Sequence, residues 1–396
     1  MLAWRGDGFF LRAPRRPRRE AAPRVSAPDR LLAAEVFGQE GRRESFVRVG
    51  IAPASTPEKF DRFRWWVAEG HHAGMKYLET TRETRADPTR LLAGARSIVC
   101  LAARHRRRPL VASDGATIAR YASGPDYHGT LRQRATRVAR AAAARLGDFR
   151  YRVCVDSTPL AERSFAAAAG LGWIGKNGCL MDSEHGSFLL LAEILTDLDL
   201  PPDDPVAERC GSCVRCLDAC PTGAFLEPGL LDAGRCLAYW TIEHRGRIPD
   251  GVKEKIGQHV FGCDICQDVC PWNPPIAVRG EEPPKPSIAL AKEGRRRAPI
   301  ESDIPEVPAR REWLEMGPGQ WRRRYGATAL NRAGRRGLQR NAAASAGACG
   351  DRSSLPALAR AAGVSEPGLS DASAWALSRL AARDPTLPRA DQRKDL

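Results

Sequence analysis

Eight cysteines are concentrated in one short part of the chain, between residues 210 and 270. The first four follow the pattern Cys-x2-Cys-x2-Cys-x3-Cys-Pro, and a shorter copy, Cys-x2-Cys-x3-Cys-Pro, ends the segment. The proline-terminated run is typical of bacterial iron–sulfur proteins, whose soft thiolate ligands suit iron. Eight thiolates are the number that two four-iron clusters need. The spacing therefore predicts two 4Fe-4S clusters and transfer of single electrons.

The ligands of each cluster follow from two-cluster ferredoxins, in which the fourth cysteine of each run binds the other cluster. One predicted set is Cys210, Cys213, Cys216 and Cys270. The other is Cys220, Cys236, Cys263 and Cys266, where Cys236 supplies the ligand that the shorter run lacks. Structural zinc is the alternative, but it does not account for the order of the spacings. The remaining cysteines are interpreted as core or surface thiols: Cys100, Cys154, Cys179 and Cys349.

Asp156 is a second candidate for chemistry, because it follows a predicted strand at 151–155. Ligands in open α/β sheets bind beyond the carboxyl ends of the strands, where a carboxylate can act on them. The sequence also predicts a helix after Asp156, with Thr158 as its N-cap and Pro159 in its first position. A structural role of Asp156 as a helix cap is the alternative.

The glycine-rich segment 170–177 nearly matches a phosphate-binding loop, but we do not interpret it as one. Asn177 stands where that loop requires Ser or Thr, and the predicted order of strand, loop and helix is reversed. Its glycines permit the backbone to approach a bulky ligand, and Lys176 can meet an anion. A helix end followed by a tight turn is the alternative.

The elements that position these residues divide the 396 residues into four predicted segments. Residues 1–28, rich in Pro and Arg, are predicted to be a disordered extension or the product of a misassigned start codon. Alternating helix and strand signals predict an α/β domain over 29–200, and the ferredoxin-type domain follows at 201–290. A connector and a helical tail occupy 291–396. The predicted strands are 45–51, 97–102 and 151–155, and the predicted helices are 30–37, 131–146, 334–346, 355–362 and 372–382.

Charge and hydropathy limit the partners. The chain carries 62 Lys and Arg against 47 Asp and Glu, a formal net charge of +15. The stretch 321–340 contains seven arginines and no acid, which favours a polyanionic partner. No apolar run approaches the roughly 18 residues of a membrane helix. Clustered, metal-binding cysteines indicate a reducing compartment.

Several short segments, taken in this order, resemble the epoxyqueuosine reductase family of bacterial tRNA modification. They are GMKYL (74–78), RADP (85–88), ASGPDYH (122–128), VDSTPLAER (155–163), AGLGWIGKN (169–177), both cysteine runs, TIEHRG (241–246), FGCD (261–264) and NRAGRRGLQRN (331–341). The resemblance implies reduction of the epoxide of epoxyqueuosine in the tRNA anticodon loop to queuosine, the last step of queuosine biosynthesis.

The same resemblance implies a fold and its cofactors. An α/β cobalamin-binding domain is followed by a two-cluster, ferredoxin-like α+β domain and an α-helical HEAT-like tail. Asp156 is the implied proton donor. The implied cobalamin neighbours are Arg85, Asp156, Lys176, Asn177, Ala238 and Asp264.

The implied partners are tRNA carrying epoxyqueuosine and a low-potential electron donor such as flavodoxin or ferredoxin, and the enzyme is expected to be a cytoplasmic monomer. We predict contacts to tRNA phosphates from five tail arginines: Arg322, Arg323, Arg324, Arg335 and Arg336. Two other function classes stay open. One is another corrinoid and iron–sulfur reductase of the reductive-dehalogenase type, and the other is a non-enzymatic electron carrier.

Overall fold

The computed structural model describes residues 27–105, 109–122, 124–273 and 307–383. The strands are β1 (Arg48–Pro53), β2 (Ser97–Arg104), β3 (Leu110–Val111), β4 (Thr117–Ile118), β5 (Tyr151–Cys154), β6 (Trp173–Ile174), β7 (Leu180–Met181), β8 (Leu189–Thr196), β9 (Phe225–Glu227), β10 (Leu230–Leu231) and β11 (His259–Phe261). Most of the extension predicted at 1–28 and of the connector predicted after residue 290 lies outside the described residues.

The helices are α1 (Ala27–Arg43), α2 (Phe60–Ala68), α3 (Lys76–Thr80), α4 (Arg82–Ala86), α5 (Tyr127–Leu146), α6 (Glu162–Ala168), α7 (Arg215–Asp218), α8 (Asp250–Lys253), α9 (Ile265–Asp268), α10 (Arg310–Glu315), α11 (Pro318–Tyr325), α12 (Gly334–Cys349), α13 (Leu355–Ala362) and α14 (Pro367–Ala382). Single 3-10 turns lie at Pro88–Arg90, Arg120–Ala122, Ala233–Arg235, Ala329–Arg332 and Arg352–Ser354, and a π-helical turn spans Tyr239–Glu243.

A four-stranded sheet in the order β1-β2-β8-β5 forms the centre of the first segment. Residues 97–103 of β2 are all buried, because helices cover both faces of the sheet. Helices α1 and α5 pack on one face through Phe37, Leu131 and Val138, and α6 packs on the other through Phe165 and Ala166. The strands predicted at 97–102 and 151–155 are confirmed, whereas the first strand begins at Arg48, three residues later than predicted.

Every strand pair of this sheet is antiparallel. Alternating helix and strand signals usually accompany parallel strands, whose carboxyl ends share one edge of the sheet. That rule, which supported the prediction for Asp156, therefore does not apply here. The position of Asp156 has to be explained by the contacts of its own loop.

The second segment is joined to the first by a small sheet. Strand β11 pairs in parallel with β4, and β4 pairs with β3 in a hairpin that belongs to the first segment. Two short helices, α7 and α9, carry Cys216 and Cys266 and contact each other. The thiols are therefore held by loops and single helical turns rather than by long elements.

The tail helices cover this small sheet. Helix α12 packs against α10, α14 and β11, and the side chain amide of Asn341 donates to the Thr241 and Val260 carbonyls at 2.7 and 2.9 Å. The helices predicted at 334–346 and 355–362 are confirmed, and that predicted at 372–382 begins earlier, at Pro367. Among the described residues, none of the helices is long and apolar enough to cross a membrane.

Candidate active site

Asp156 lies in the loop between β5 and α6 with its side chain 55% exposed. Its backbone has a φ of 43°, a left-handed conformation that is uncommon outside glycine. The predicted helix start is wrong: α6 begins at Glu162 with Ala161 as N-cap, so Thr158 is not its N-cap and Pro159 is not its first residue. The reason is packing, because Leu160 is buried in the core under the sheet and the chain must reach that core before the helix begins.

His128 joins two carboxylates at the start of α5. Its Nδ1 atom lies 2.5 Å from Asp126 Oδ1, and its Nε2 atom lies 2.6 Å from Asp156 Oδ2. Burial by itself would lower the pKa of His128, but the hydrogen bonds and charges of both carboxylates outweigh it and raise that pKa to about 9. At neutral pH the ring is therefore a cation that can supply a proton.

The pKa of Asp156 is shifted in the opposite direction. Desolvation opposes its ionisation, but the His128 and Tyr127 hydrogen bonds and the positive charge of Arg332 hold the pKa of Asp156 below its usual value. Burial and the charge of Asp156 raise the pKa of Tyr127 and of Tyr121 far above the ordinary value. Both phenols consequently remain neutral beside an ionised carboxylate.

The other side of the site comes from distant parts of the chain. The Arg332 guanidinium of the tail lies 5.6 Å from the Tyr77 ring centre and binds Glu243 through two hydrogen bonds of 2.9 and 2.7 Å. Arg85 donates to the Leu160 carbonyl at 3.0 Å. Burial lowers the pKa of Arg85, although the charges of Tyr77, Glu162 and Asp156 act in the opposite direction. The predicted segments 29–200, 201–290 and 291–396 therefore all contribute to the surroundings of Asp156.

The thiols that act on Cys216 and on Cys263 belong to the same predicted sets as those two cysteines. Burial is the largest cause of the raised pKa of Cys216, and the charges of Cys270, Cys210 and Cys213 raise it further. In the other set, burial and the charges of Cys236 and Cys220 raise the pKa of Cys263 to about 12. Across the described ranges, no three His, Cys, Asp or Glu side chains converge on a point that could hold one metal ion. The first set instead lines a small cavity of about 20 Å³ together with Lys176 and Trp272.

Cys179 lies among these thiols, which its isolated position in the sequence did not indicate. Burial is the largest cause of the raised pKa of Cys266. Among the neighbouring charges, that of Cys179 raises this pKa more than those of Cys263 and Cys236 do. Cys100 and Cys154 are buried and Cys349 is exposed, so the prediction of core or surface thiols is confirmed for these three.

Four of the predicted cobalamin neighbours lie at the cluster loops rather than against Asp156. Lys176 Nζ donates to the Gly211 carbonyl at 2.6 Å, and Asn177 Nδ2 donates to the Cys266 carbonyl at 3.4 Å. The backbone N–H of Ala238 faces the Cys236 thiol. Asp264 forms a salt bridge with Arg120 at 3.1 Å. The charge of Asp264 raises the pKa of Tyr121, and the charge of Asp156 does the same. Tyr121 therefore lies between the cluster loops and Asp156.

The predicted tRNA contacts lie on two helices of the tail. Arg322, Arg323 and Arg324 are exposed on α11, and no salt bridge links any of the three to a carboxylate within the described ranges. Arg335 and Arg336 differ, because both donate to the side chain of Gln339, at 3.0 and 3.1 Å. The first three arginines are therefore freer to meet an external anion.

Several residues of the site had no predicted role. His128, Glu162 and Arg332 stand inside segments that carried the family resemblance, at 122–128, 155–163 and 331–341. No spacing rule connects positions so far apart in sequence. Glu193 had one signal, a single acid that interrupts an apolar stretch between Leu191 and Leu195.

Comparison with family models and known proteins covers most of the chain. Residues 209–273 match a 4Fe-4S double cluster binding domain, and residues 85–157 match a domain described as epoxyqueuosine reductase QueG, DUF1730. The epoxyqueuosine reductase of Cyclobacterium marinum is 37% identical over 311 residues, which are 78% of this chain and 94% of that protein. That of Xanthomonas campestris is 42% identical over 266 residues, 65% of this chain and 75% of that protein.

Two solved structures have the same fold. An epoxyqueuosine reductase crystallised with an epoxyqueuosine-modified tRNA-Tyr stem loop superposes with a TM-score of 0.77, at 30% identity, over 89% of this chain and 91% of that one. The enzyme of Bacillus subtilis superposes with a TM-score of 0.77, at 29% identity, with the same coverage of both chains. In that structure the catalytic loop, which carries an aspartate, is described as swung out of the active site.

Proposed function

The chain belongs to the epoxyqueuosine reductase family, and from that premise we propose that it reduces the epoxide of epoxyqueuosine in tRNA to queuosine with Asp156 as the proton donor. It is an oxidoreductase with a double 4Fe-4S cluster domain. The observation that supports the assignment of Asp156 is the short distance of 2.6 Å between its Oδ2 atom and Nε2 of His128. His128 supplies the proton that Asp156 donates.

Removal of an epoxide oxygen to leave an alkene consumes two electrons and two protons and releases water. An ionised Asp156 cannot donate a proton by itself, so the proton comes from His128. When substrate and cofactor cover the carboxylate, loss of water favours its neutral form. The proton then moves from Nε2 of His128 to Oδ2 of Asp156, which protonates the leaving oxygen and avoids a free alkoxide. Solvent returns a proton to His128, and the pair passes on this second proton when the oxygen leaves as water.

We assign the two predicted thiol sets as the cluster ligands. The support is the action of thiols of the same set on Cys216 and on Cys263, together with the soft donor set, which suits iron–sulfur clusters. When bound, the two clusters would supply single electrons, and Asp264 and Tyr121 lie between the loops that would hold them and Asp156. A flavodoxin or a ferredoxin is the proposed donor.

We propose that cobalamin binds on the exposed face beside Asp156. Tyr77 and Ile174 are 41% and 37% exposed, and the side chain of Asp156 is 55% exposed. A flat, largely apolar group seated there would bury these surfaces and desolvate the carboxylate. Arg85, Asp156, Lys176, Asn177, Ala238 and Asp264 are the residues proposed to hold it. When bound, cobalamin supplies a reduced cobalt centre that is nucleophilic towards an epoxide carbon.

The tail is proposed to hold the tRNA stem through Arg322, Arg323, Arg324, Arg335 and Arg336, as a HEAT-like helical unit of a cytoplasmic monomer. The exposed side chains on α11 support this role. The relatives named above favour this function over a reductase of the reductive-dehalogenase type.

The test is turnover under anaerobic conditions. Holoenzyme containing about eight iron atoms, as two four-iron clusters require, and one cobalt atom is incubated with a low-potential donor and tRNA containing epoxyqueuosine. Nucleoside mass spectrometry should show queuosine in place of the epoxide. Retained epoxide would overturn the proposal, reduction of organohalides without tRNA turnover would favour the alternative reductase, and a chain without corrinoid would indicate an electron carrier.

A further inference from the structure

Glu193 is a fully buried acid on β8, with 0% of its surface exposed. Its cross-strand partners are Cys100 on β2 and Cys154 on β5, whose side chains belong to the apolar core under α6. Within the described residues, no N–H or hydroxyl group donates a hydrogen bond to either carboxyl oxygen. A charged carboxylate in such a place would be very costly, so this acid is kept neutral.

Glu162 is the group that this neutral acid faces. It stands at the start of α6, and its carboxyl accepts a hydrogen bond from the backbone N–H of Asp156. Helix α6 packs against β8, so Glu162 at its start lies over Glu193. Burial, the charges of Glu162 and Asp156 and a hydrogen bond with Glu162 raise the pKa of Glu193, whereas burial and the charge of Asp156 raise the pKa of Glu162 to about 8. Arg85 and Arg163 act on Glu162 in the opposite direction. One proton shared between the two acids removes their repulsion.

The Asp156 backbone needs an external restraint. Its φ of 43° is a strained conformation for a residue with a side chain, and such conformations persist only where the surrounding structure holds them. In the Bacillus subtilis relative, the catalytic loop is described as swung out of the active site. The hydrogen bond to Glu162 is therefore placed where it can decide whether this loop stays in.

We propose that Glu193 and Glu162 form a proton-sharing carboxyl pair that latches the Asp156 loop in the active site, with both acids as positioning residues. Glu193 donates its O–H to Glu162, and Glu162 accepts the Asp156 N–H, so the restraint runs from β8 to the loop. The functional part of this inference rests on the proposed role of Asp156. The latch itself is a property of the chain without substrate.

Two substitutions of Glu193 test the latch in the full chain with its cofactors. Glu193→Gln keeps a neutral side chain that can donate to Glu162, so hydrogen exchange in peptides spanning 155–161 and turnover should stay within about twofold of wild type. Glu193→Leu fills the apolar pocket, so the Tm should hold or rise. The same change removes the donor, so exchange in 155–161 should accelerate about tenfold and kcat should fall about 10- to 100-fold at unchanged KM.

A residue with a merely structural role would behave differently. It would change Tm in Glu193→Leu and leave exchange in 155–161 as in wild type, and that result would overturn the proposal. Ile194→Val, a buried neighbour that faces the opposite core, is the matched control and should leave exchange of this loop unchanged. Infrared spectra at neutral pH should show a protonated carboxyl band that Glu193→Gln lacks, and its absence from wild type would also overturn the latch.

Failure of the latch and failure of the proposed function are distinguishable. Exchange and infrared spectra are measured without substrate, so they report on the latch even if the enzyme reduces no epoxide. If wild type turns over normally while Glu193→Leu leaves the loop protected, only the latch is wrong.

Discussion

The Nε2 atom of His128 lies 2.6 Å from Oδ2 of Asp156, although the two residues are 28 positions apart in the chain. One stands at the start of a helix and the other in a loop after a strand. The contact keeps a proton next to a carboxylate that is itself ionised at neutral pH. How the site donates a proton therefore depends on the pair and not on Asp156 alone.

Replacement of His128 should change both the rate and its pH dependence. The pKa of His128 is about 9, above its ordinary 6.5, so the charged pair is fully present below about 6.5 and is lost as the pH rises through about 9. Wild-type kcat should fall over that alkaline range. His128→Gln, which cannot supply a proton, should lower kcat about 10²- to 10⁴-fold at neutral pH and lose this alkaline limb.

The Asp126→Asn variant provides the check on that assignment. It removes one of the two carboxylates that raise the pKa of His128, so the alkaline limb should move to lower pH while the enzyme stays active. A pH–rate profile that is identical in wild type and Asp126→Asn would contradict the role given to His128.

Asp156→Asn should lower kcat about 10²- to 10⁴-fold, because an amide cannot pass a proton to the leaving oxygen. Asn tolerates the left-handed backbone of this position, so the loop is expected to keep its conformation. Iron content and tRNA affinity should match wild type. Asp148→Asn, at an exposed position beyond α5, is the matched control, and an equal loss in both variants would argue against a special role of Asp156.

Cys236→Ala should remove one cluster and leave the other. Iron should fall from about eight to about four atoms per chain, because each four-iron cluster needs its own four ligands. Cys349→Ala, at an exposed thiol, is the control and should retain all iron. Cys179→Ala is predicted to retain it as well, and loss of iron there would show that the ligand sets need revision.

Charge reversal of Arg322, Arg323 and Arg324 should weaken tRNA binding and flatten its salt dependence. Each lost phosphate contact should reduce the slope of log K against log salt by about 0.7–0.9. Arg140→Glu, an exposed arginine on α5, changes the net charge without touching the tail and is the single-residue control. Unchanged affinity and slope would mean that α11 presents an ordinary solvated surface.

The cysteine runs, the central strands and the tail helices could be predicted because their signals are local. Cys210 to Cys220 are recognised by spacings of two and three residues, and β2 by a continuous apolar run. The start of α6 was predicted wrongly because the local capping signal of Thr158 and Pro159 competes with the burial of Leu160, which depends on the core under the sheet.

The sequence by itself determined the chemistry that the chain carries: eight thiolates in two sets, an acid in a recognisable segment, and a basic stretch without acids in the tail. Only the tertiary structure decided what surrounds Asp156, where His128, Glu162 and Arg332 come from α5, the start of α6 and the tail. The physical reason is that a pKa depends on charges and burial within a few ångströms, and chain folding brings those groups together without any fixed spacing in sequence.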